Sequence, residues 1–345
     1  QGDGRHAETE IDPERGSNLR RGGDGTSGYR GILDSTFTAD HVRSICLAIS
    51  DFLLDQDPAP KIGIGYDPRQ GNALNPEEKS FSLLAARTFQ KKGISVYLCD
   101  TFTPTPVLSW MIRHHHLNGG IMLTASHNPP EYNGIKFNPQ NGAPAPLEIT
   151  RYIEELANYY MSHSDQWGPL GKAEAHIYPV QDCHAFASAL VDQCSLILDC
   201  NPSFDDTVVV DAKFGSVGLT WRCIEEELDG LNFDILNEEP DFRFGGIEPN
   251  PTKTDHLETL KNEIKNKLVK EISITVFVTS FSLKEIVSPF SCISRLKAPV
   301  KYWSFFLRFP LNKSFLCFSY VSCKSPNVLI ITFVLDISFV RLKDL

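Results

Sequence analysis

Apolar positions along this chain switch between two periods, and the switching predicts its elements. Val42, Ile45, Cys46, Ile49, Phe52 and Leu53 recur at helical spacing behind Thr38, a residue type suited to a helix N-cap, so a helix is expected there. Lys61 to Tyr66 reads as a strand. Asn75-Pro76 opens a second helix carrying Phe81, Leu84, Ala85 and Phe89, closed by Gly93 at its C-terminal cap position. Ile94 to Cys99 is the next strand. After Phe102-Thr103-Pro104-Thr105-Pro106 comes a short helix through His116, then a buried strand, Gly120-Ile121-Met122-Leu123. Beyond it a polar Pro/Gly/Asn loop is expected, followed by an amphipathic helix from Leu147 to Met161 and a linker-like stretch from Ser162 to Lys172.

A second run of the same alternation follows. Asp182 to Leu198 reads as helix, Thr207 to Asp211 as a buried strand, and Lys213 to Gly218 as a tight strand-to-helix turn. Trp221 to Leu228 continues as helix, Leu231 to Leu236 as strand, and a last helix is expected from about Asp255 to Lys267. Strand and helix in alternation predict α/β layered domains, in which ligands gather at the carboxyl ends of strands.

Composition sets the limits of this pattern. A chain of 345 residues with 41% hydrophobic residues has room for about two domains with real cores. The pattern stops near residue 267: all 23 glycines lie at or before Gly246, and the last 78 positions, 268–345, contain none. That tail holds ten Lys/Arg against four Asp/Glu, is rich in Phe and Ser, and shows no sustained helical or strand period. An irregular, poorly folded tail of separate origin, such as read-through or frame-shifted sequence, is the expectation for it. Residues 1–21 are expected to be disordered.

The formal net charge of -10 argues against a nucleic-acid-binding surface, which would be a basic stripe. The longest apolar run of the tail, Val328 to Leu335, falls short of the roughly 20 residues of a membrane span. Nine scattered cysteines without a Cys-x-x-Cys pair suit a reducing compartment. A cytoplasmic location is expected, with the plastid as the lesser alternative, since acidic residues interrupt the Arg-bearing N-terminal stretch.

Three stretches could carry chemistry. Thr124-Ala125-Ser126-His127-Asn128-Pro129-Pro130 places Ser126 at a strand end beside an imidazole, with Lys136 ten residues on. By itself this is either a turn in which Ser126 and Asn128 bond the backbone or a hydroxyl able to carry a group. A serine hydrolase is a weak reading, because adjacent side chains rarely meet in triad geometry and no Gly-x-Ser-x-Gly elbow occurs. Gly22 to Gly31 is a glycine-dense loop that could approach a phosphate, with Arg30 as a planar fork of donors. His114-His115-His116 points its rings in divergent directions and reads as a solvated helix end rather than a metal site.

Taken together and in this order, Gly25-Thr26-Ser27-Gly28-Tyr29-Arg30-Gly31, Phe102-Thr103-Pro104-Thr105-Pro106, and Thr124 to Pro130 with Gly134-Ile135-Lys136 resemble the α-D-phosphohexomutases, the phosphoglucomutase and phosphomannomutase branch above all. The resemblance covers roughly residues 22 to 266. It implies two consecutive α/β/α layered domains, 22–165 and an incomplete 170–267, ahead of the tail. It implies an enzyme that interconverts hexose 1-phosphate and hexose 6-phosphate through phosphoserine and a 1,6-bisphosphate. Ser126 would carry the phosphoryl group, with His127, Lys136 and Arg30 as catalytic partners, and Thr26, Ser27, Gly28, Tyr29, Asn128 and Asn133 would bind substrate or phosphate. The partner would be a small sugar phosphate, with no nucleic acid and no membrane. Glucose 1,6-bisphosphate would be the activator and Mg²⁺ the cofactor, held by phosphorylated Ser126 and three aspartates. The Asp-x-Asp-x-Asp loop that supplies those aspartates occurs nowhere in this chain, and neither do the sugar-reading and phosphate-gripping loops of the family's later domains. The alternative implied is a catalytically inactive fragment with a binding role or none.

Overall fold

The computed structural model describes residues 28–75, 80–170, 177–195, 207–228, 232–250, 254–260, 262–263, 273–276, 301–308, 315–322 and 329–334. A six-stranded sheet organises the first unit. Its strands are β1 (Tyr29–Ile32), β2 (Lys61–Tyr66), β3 (Ser95–Cys99), β4 (Gly119–Leu123), β5 (Tyr132–Pro139) and β6 (Ile177–Val180), arranged in space as β1-β5-β4-β2-β3-β6. β4, β2, β3 and β6 run parallel, while β5 turns back antiparallel on β4 and pairs β1 antiparallel on its far side. The helices α1 (Ala39–Leu54), α2 (Phe81–Lys91) and α3 (Thr105–His114) are the crossovers that parallel strands require, and α4 (Leu147–Ser162) packs with α1. Val42, Ile45, Ile49 and Leu53 of α1 all enter the core, as their spacing predicts. Glycine lets α3 approach: a Cβ at Gly63 would lie 2.5 Å from Met111 Cε.

Several expectations shift. The second helix begins at Phe81 with Ser80 as its cap, its hydroxyl accepting from the Leu83 N–H, and Pro76 lies outside the described residues. The expected polar loop after Pro130 contains β5. The polar residues of that strand are buried with partners: the Asn138 amide donates to the Gly142 carbonyl at 2.8 Å and lies 3.3 Å from the Ser109 hydroxyl. A strand that buries polar side chains on a well-bonded sheet has the composition of a loop. The last part of the glycine-dense segment is likewise strand β1. The stretch read as a linker contains a 3₁₀ turn, Ser164–Trp167, whose indole is buried, donates to the Tyr160 carbonyl and lies under the Arg43 guanidinium at 5.1 Å. The sheet also reaches past the expected boundary at 165, because β6 pairs with β3 from Val96↔Ile177 to Cys99↔Val180.

The second unit has a three-stranded parallel sheet in the order β8-β7-β9, from β7 (Thr207–Asp211), β8 (Asn232–Leu236) and β9 (Ser273–Val276). Helices α5 (Cys183–Ser195) and α6 (Gly218–Glu227) bury Cys183, Ala187, Trp221 and Ile224 against it. Of the expected last helix, a 3₁₀ turn at Thr254–Leu257 and the short helical pieces 258–260 and 262–263 are described. In the tail, where no strand period is read, β10 (Lys301–Arg308), β11 (Phe315–Ser322) and β12 (Leu329–Val334) form an antiparallel meander. The stretches between those strands lie outside the described residues.

The two units meet where α3 ends and α5 begins. His115 Nε2 lies 2.9 Å from the Asp182 carboxylate, and Trp110, stacked on His114 at 4.1 Å, meets Phe186 edge-on. The histidine triple is therefore a contact between units, not only a solvated end. Among the described residues no group of three or more His, Cys, Asp or Glu could hold a metal ion.

Two consequences are measurable. A Cβ at Gly134 would sit 2.6 Å from both the Thr124 and Tyr29 carbonyl oxygens, which are backbone atoms of the strand β1 and of the turn after β4. Gly134→Ala is expected to lower unfolding stability by about 1–3 kcal/mol in urea titration; an unchanged midpoint would show that β5 can shift freely. His41 is buried, its Nδ1 accepts from the Thr38 N–H at 3.2 Å, and burial lowers its pKa from 6.5, with Asp40 opposing. The unfolded chain therefore binds a proton that the folded chain refuses, and stability is lost as pH falls below about 6.5. His41→Gln, which keeps an acceptor for Thr38, should flatten the stability profile between about pH 5 and 7.

Candidate functional site

The site forms where β2 and β4 end. After Leu123 the chain leaves the sheet through Thr124, whose N–H donates to the Gly134 carbonyl at 2.9 Å. The Thr124 hydroxyl donates to Asp67 Oδ2 at 2.6 Å and accepts from the Ser126 N–H at 2.9 Å. Ser126 itself has φ +59, a left-handed backbone that costs a non-glycine residue about 1–2 kcal/mol. Something must hold it there.

That group is Arg69. Its Nε donates to Asp67 Oδ2 at 3.2 Å, its Nη1 to the carbonyls of Pro129 and Tyr132 at 2.8 and 2.7 Å, and its Nη2 to those of Ser126 and Asn128 at 2.8 and 2.7 Å. A guanidinium has five N–H donors, and here all five are used. Arg69 is 1% exposed. Burial draws its pKa down from 12.5, and Asp67 pulls it back; the group stays charged, as arginine does in proteins. Asp67 in turn accepts from the Arg69 N–H at 3.1 Å and from the Asn72 amide at 3.0 Å, while its own N–H donates to Leu123 at 3.1 Å. The loop 126–132 is thus wound around one cation with its carbonyls turned inward.

The outward side of this loop faces a cleft of about 570 Å³, open to solvent. Asp67, Thr105, Met122, Thr124 and Ser126 line it from the first unit. The strand-to-helix turn of the second unit, Ala212 to Val217, faces them, with Phe244 and Pro249. Lys213 and Phe214 in that turn have φ +53 and +54. The Lys213 ammonium is paired with Asp211 at 2.7 Å and donates to the His256 carbonyl. Ser126 Oγ lies 3.5 Å from His127 Nδ1.

Residues 22–163 match the family domain described as phosphoglucomutase/phosphomannomutase, alpha/beta/alpha domain I. A phosphoglucomutase of Komagataeibacter xylinus is 32% identical over 235 residues, covering 64% of this chain and 41% of the relative. A phosphoglucomutase/phosphomannomutase of Thermococcus kodakarensis is 28% identical over 236 residues, covering 66% of this chain and 47% of the relative. The crystal structure of a Thermus thermophilus protein assigned as a phosphomannomutase superposes with TM-score 0.59 at 25% identity, over 73% of this chain and 54% of that one. Parafusin, a phosphoglucomutase from Paramecium, superposes with TM-score 0.53 at 26% identity, over 74% and 49% of the two chains. Residues 22–163 are thus a domain of the phosphoglucomutase/phosphomannomutase domain I type. The chain spans about half the length of the relatives it matches, from 41% to 54% in these examples.

Within this domain the expected site residues separate. Ser126 lines the cleft with His127 beside it. Arg30 lies on β1 opposite Gly134, one strand from Thr124, and Lys136 lies on β5 opposite Met122, a cleft residue. Neither Arg30 nor Lys136 is among the described residues lining the cleft; Lys136 is buried and packs against Gly28, which has φ +95. Asn128 contributes its carbonyl to Arg69. Thr26 and Ser27 lie outside the described residues.

Two expected phosphate ligands have other work. The Tyr29 hydroxyl donates to the Thr36 carbonyl, the ring stacks on His41, and burial pushes the phenol up to about 12. Asn133 is 1% exposed; its amide donates to Asn72 Oδ1 and the Gln70 carbonyl at 2.9 and 3.2 Å, and its oxygen accepts from the Gly134 N–H. Both hold the scaffold together.

Asp67, Arg69 and Asn72, which hold the Ser126 loop, are the residues of this site that sequence reading passed over. The available signal was position: an arginine in a short turn just after a parallel strand, where ligand loops of α/β sheets gather. Replacing Arg69 by Met leaves Asp67 buried beside four carbonyls without donors, and the expected loss is about 3–5 kcal/mol of unfolding stability by urea titration. Arg69→Lys, with the charge but not the fork, should fall between the two. Equal stability of Arg69→Met and the parent chain would remove the cation from the centre of this loop.

Proposed function

We propose that Ser126 is the phosphoryl carrier of a phosphohexomutase reaction between hexose 1-phosphate and hexose 6-phosphate. The observation that carries this reading is a strand-end serine in a left-handed conformation, locked by Arg69 and opening on a cleft between two units. In the forward half-reaction the Oγ–P bond of phosphoserine breaks and a new O–P bond forms to the free sugar hydroxyl. The product of that step is a hexose 1,6-bisphosphate and a free serine. The sugar hydroxyl gives up its proton to a base, the role assigned to His127 because an imidazole can both take and give a proton, and the leaving Ser126 Oγ takes up a proton to become the free hydroxyl. With the bisphosphate reversed in the cleft, the O–P bond of its other phosphoryl group breaks and a new bond forms to Ser126 Oγ, whose proton passes by way of the base to the sugar oxygen left behind. Phosphoryl transfer of this kind needs positioning and charge neutralisation above all.

Arg30 and Lys136 are the cations assigned to the phosphate. Their strands β1 and β5 are joined to the strand end carrying Thr124, which supports the assignment. The described residues do not fit the magnesium site that the superfamily implies, because no group of three or more acidic, His or Cys ligands occurs among them. No step above is routed through a metal. That same gap favours a second reading, in which the chain accepts phosphate without turning substrate over. No helix among the described residues is long and apolar enough to cross a membrane.

The test is to incubate the full chain with glucose 1,6-bisphosphate and Mg²⁺, map the phosphorylated residue by mass spectrometry, and assay glucose 6-phosphate formed from glucose 1-phosphate. Phosphate on Ser126, absent from Ser126→Ala, together with conversion, is the expected result. Phosphate on Ser126 without conversion selects the second reading. If Ser126 stays unmodified, the carrier assignment is wrong.

A further inference from the structure

All five N–H donors of Arg69 are spent in the plane of the guanidinium, so its faces alone remain for further contact. Arg69 Cζ lies over the ring of Phe244, from the second unit, 4.9 Å from its centroid. Phe244 is 5% exposed and belongs to the lining of the Ser126 cleft. We infer that Phe244 is a positioning residue for the Ser126 loop: by covering the arginine that winds this loop, it makes the loop's rigidity depend on the docking of the second unit.

The loop that presents the ring is built for that placement. Phe244 has φ +52, a conformation that a bulky residue adopts only when held. The Asp241 carboxylate holds it from both sides, accepting from the Arg243 N–H at 3.0 Å and the Gly245 N–H at 2.9 Å, and the Phe244 N–H donates to the Asp241 carbonyl at 2.9 Å. The neighbouring Gly245 has φ +68, and a Cβ there would collide with the Phe214 ring. Phe214 is in the turn that faces Ser126 across the cleft, and its carbonyl accepts from the Asp241 N–H at 3.0 Å. The strained turn opposite the serine and the loop that caps the arginine therefore form one piece. A cation buried against a ring is stabilised by the negative face of the π system, an attraction that a saturated side chain of similar size does not supply.

This inference deepens the reading of Ser126 given above, but the contact it concerns exists without any sugar phosphate, so the two can fail separately. The test uses the full chain without ligand and follows amide hydrogen exchange of residues 126–134 in Phe244→Leu and Phe244→Tyr. Both variants fill the space; only tyrosine keeps an aromatic face. Phe244→Leu is expected to speed exchange of those amides roughly three- to thirtyfold, with Phe244→Tyr close to the parent chain and the β2 and β4 amides unchanged in both. Equal protection of residues 126–134 in the two variants overturns the proposal. So does loosening that spreads equally to β2 and β4, since that would report general destabilisation and not a specific hold on the serine loop.

Discussion

Burying a guanidinium at 1% exposure is costly unless every donor is met, because removing an ion from water carries a penalty of several kcal/mol. Arg69 meets this demand with one carboxylate and four backbone carbonyls from a stretch of only seven residues. Four carbonyls can converge on one side chain only if the backbone between them curls tightly. The positive φ at Ser126 follows from that curl, and so does the outward aim of the loop toward the cleft. The arginine sits behind the serine and shapes the backbone that presents it.

The rest of the first unit supplies a rigid floor. Asp67 continues directly from β2 and Thr124 from β4, neighbouring parallel strands paired from Ile62↔Gly119 to Tyr66↔Leu123. Their ends are therefore in register before any loop forms, and the Thr124–Asp67 hydrogen bond closes between fixed points. Glycines in β2 and β4 let α3 lie close over the sheet beneath the site. On the opposite side of the cleft, the turn 212–217 is held by Asp211, which accepts from the Lys213 N–H at 3.0 Å and the Asn237 amide at 2.8 Å. Each wall of the cleft is thus anchored through a buried aspartate at a strand end.

The parts of this architecture legible in the sequence are those that periodicity and capping control. Helix α1 was readable from its apolar stripe behind Thr38, and β2, β3 and β4 from apolar runs between turn residues. Strand β5 was not, because Asn133, Lys136 and Asn138 are buried in it, and a pattern rule takes buried polar residues for exposed ones. Arg69 escaped for the same reason: a charged residue in an Asp-Pro-Arg turn looks solvated until its acceptors, about sixty positions away in sequence, are placed around it. Nor does proximity to a motif reveal the hydrogen bonds that the Tyr29 hydroxyl and the Asn133 amide make within the first unit. Sequence reading located the serine; what holds it required coordinates.

Strand β6 bears on how this protein can be divided. It comes after the region matching domain I, 22–163, yet it hydrogen-bonds along β3, whose Val96, Leu98 and Cys99 are all buried. A piece cut at the family boundary would leave β3 as a bare edge, an apolar row of unpaired N–H and C=O groups able to recruit a strand from another molecule. The six-stranded sheet therefore extends through Val180, and β6 covers the edge of β3 that would otherwise be open to self-association.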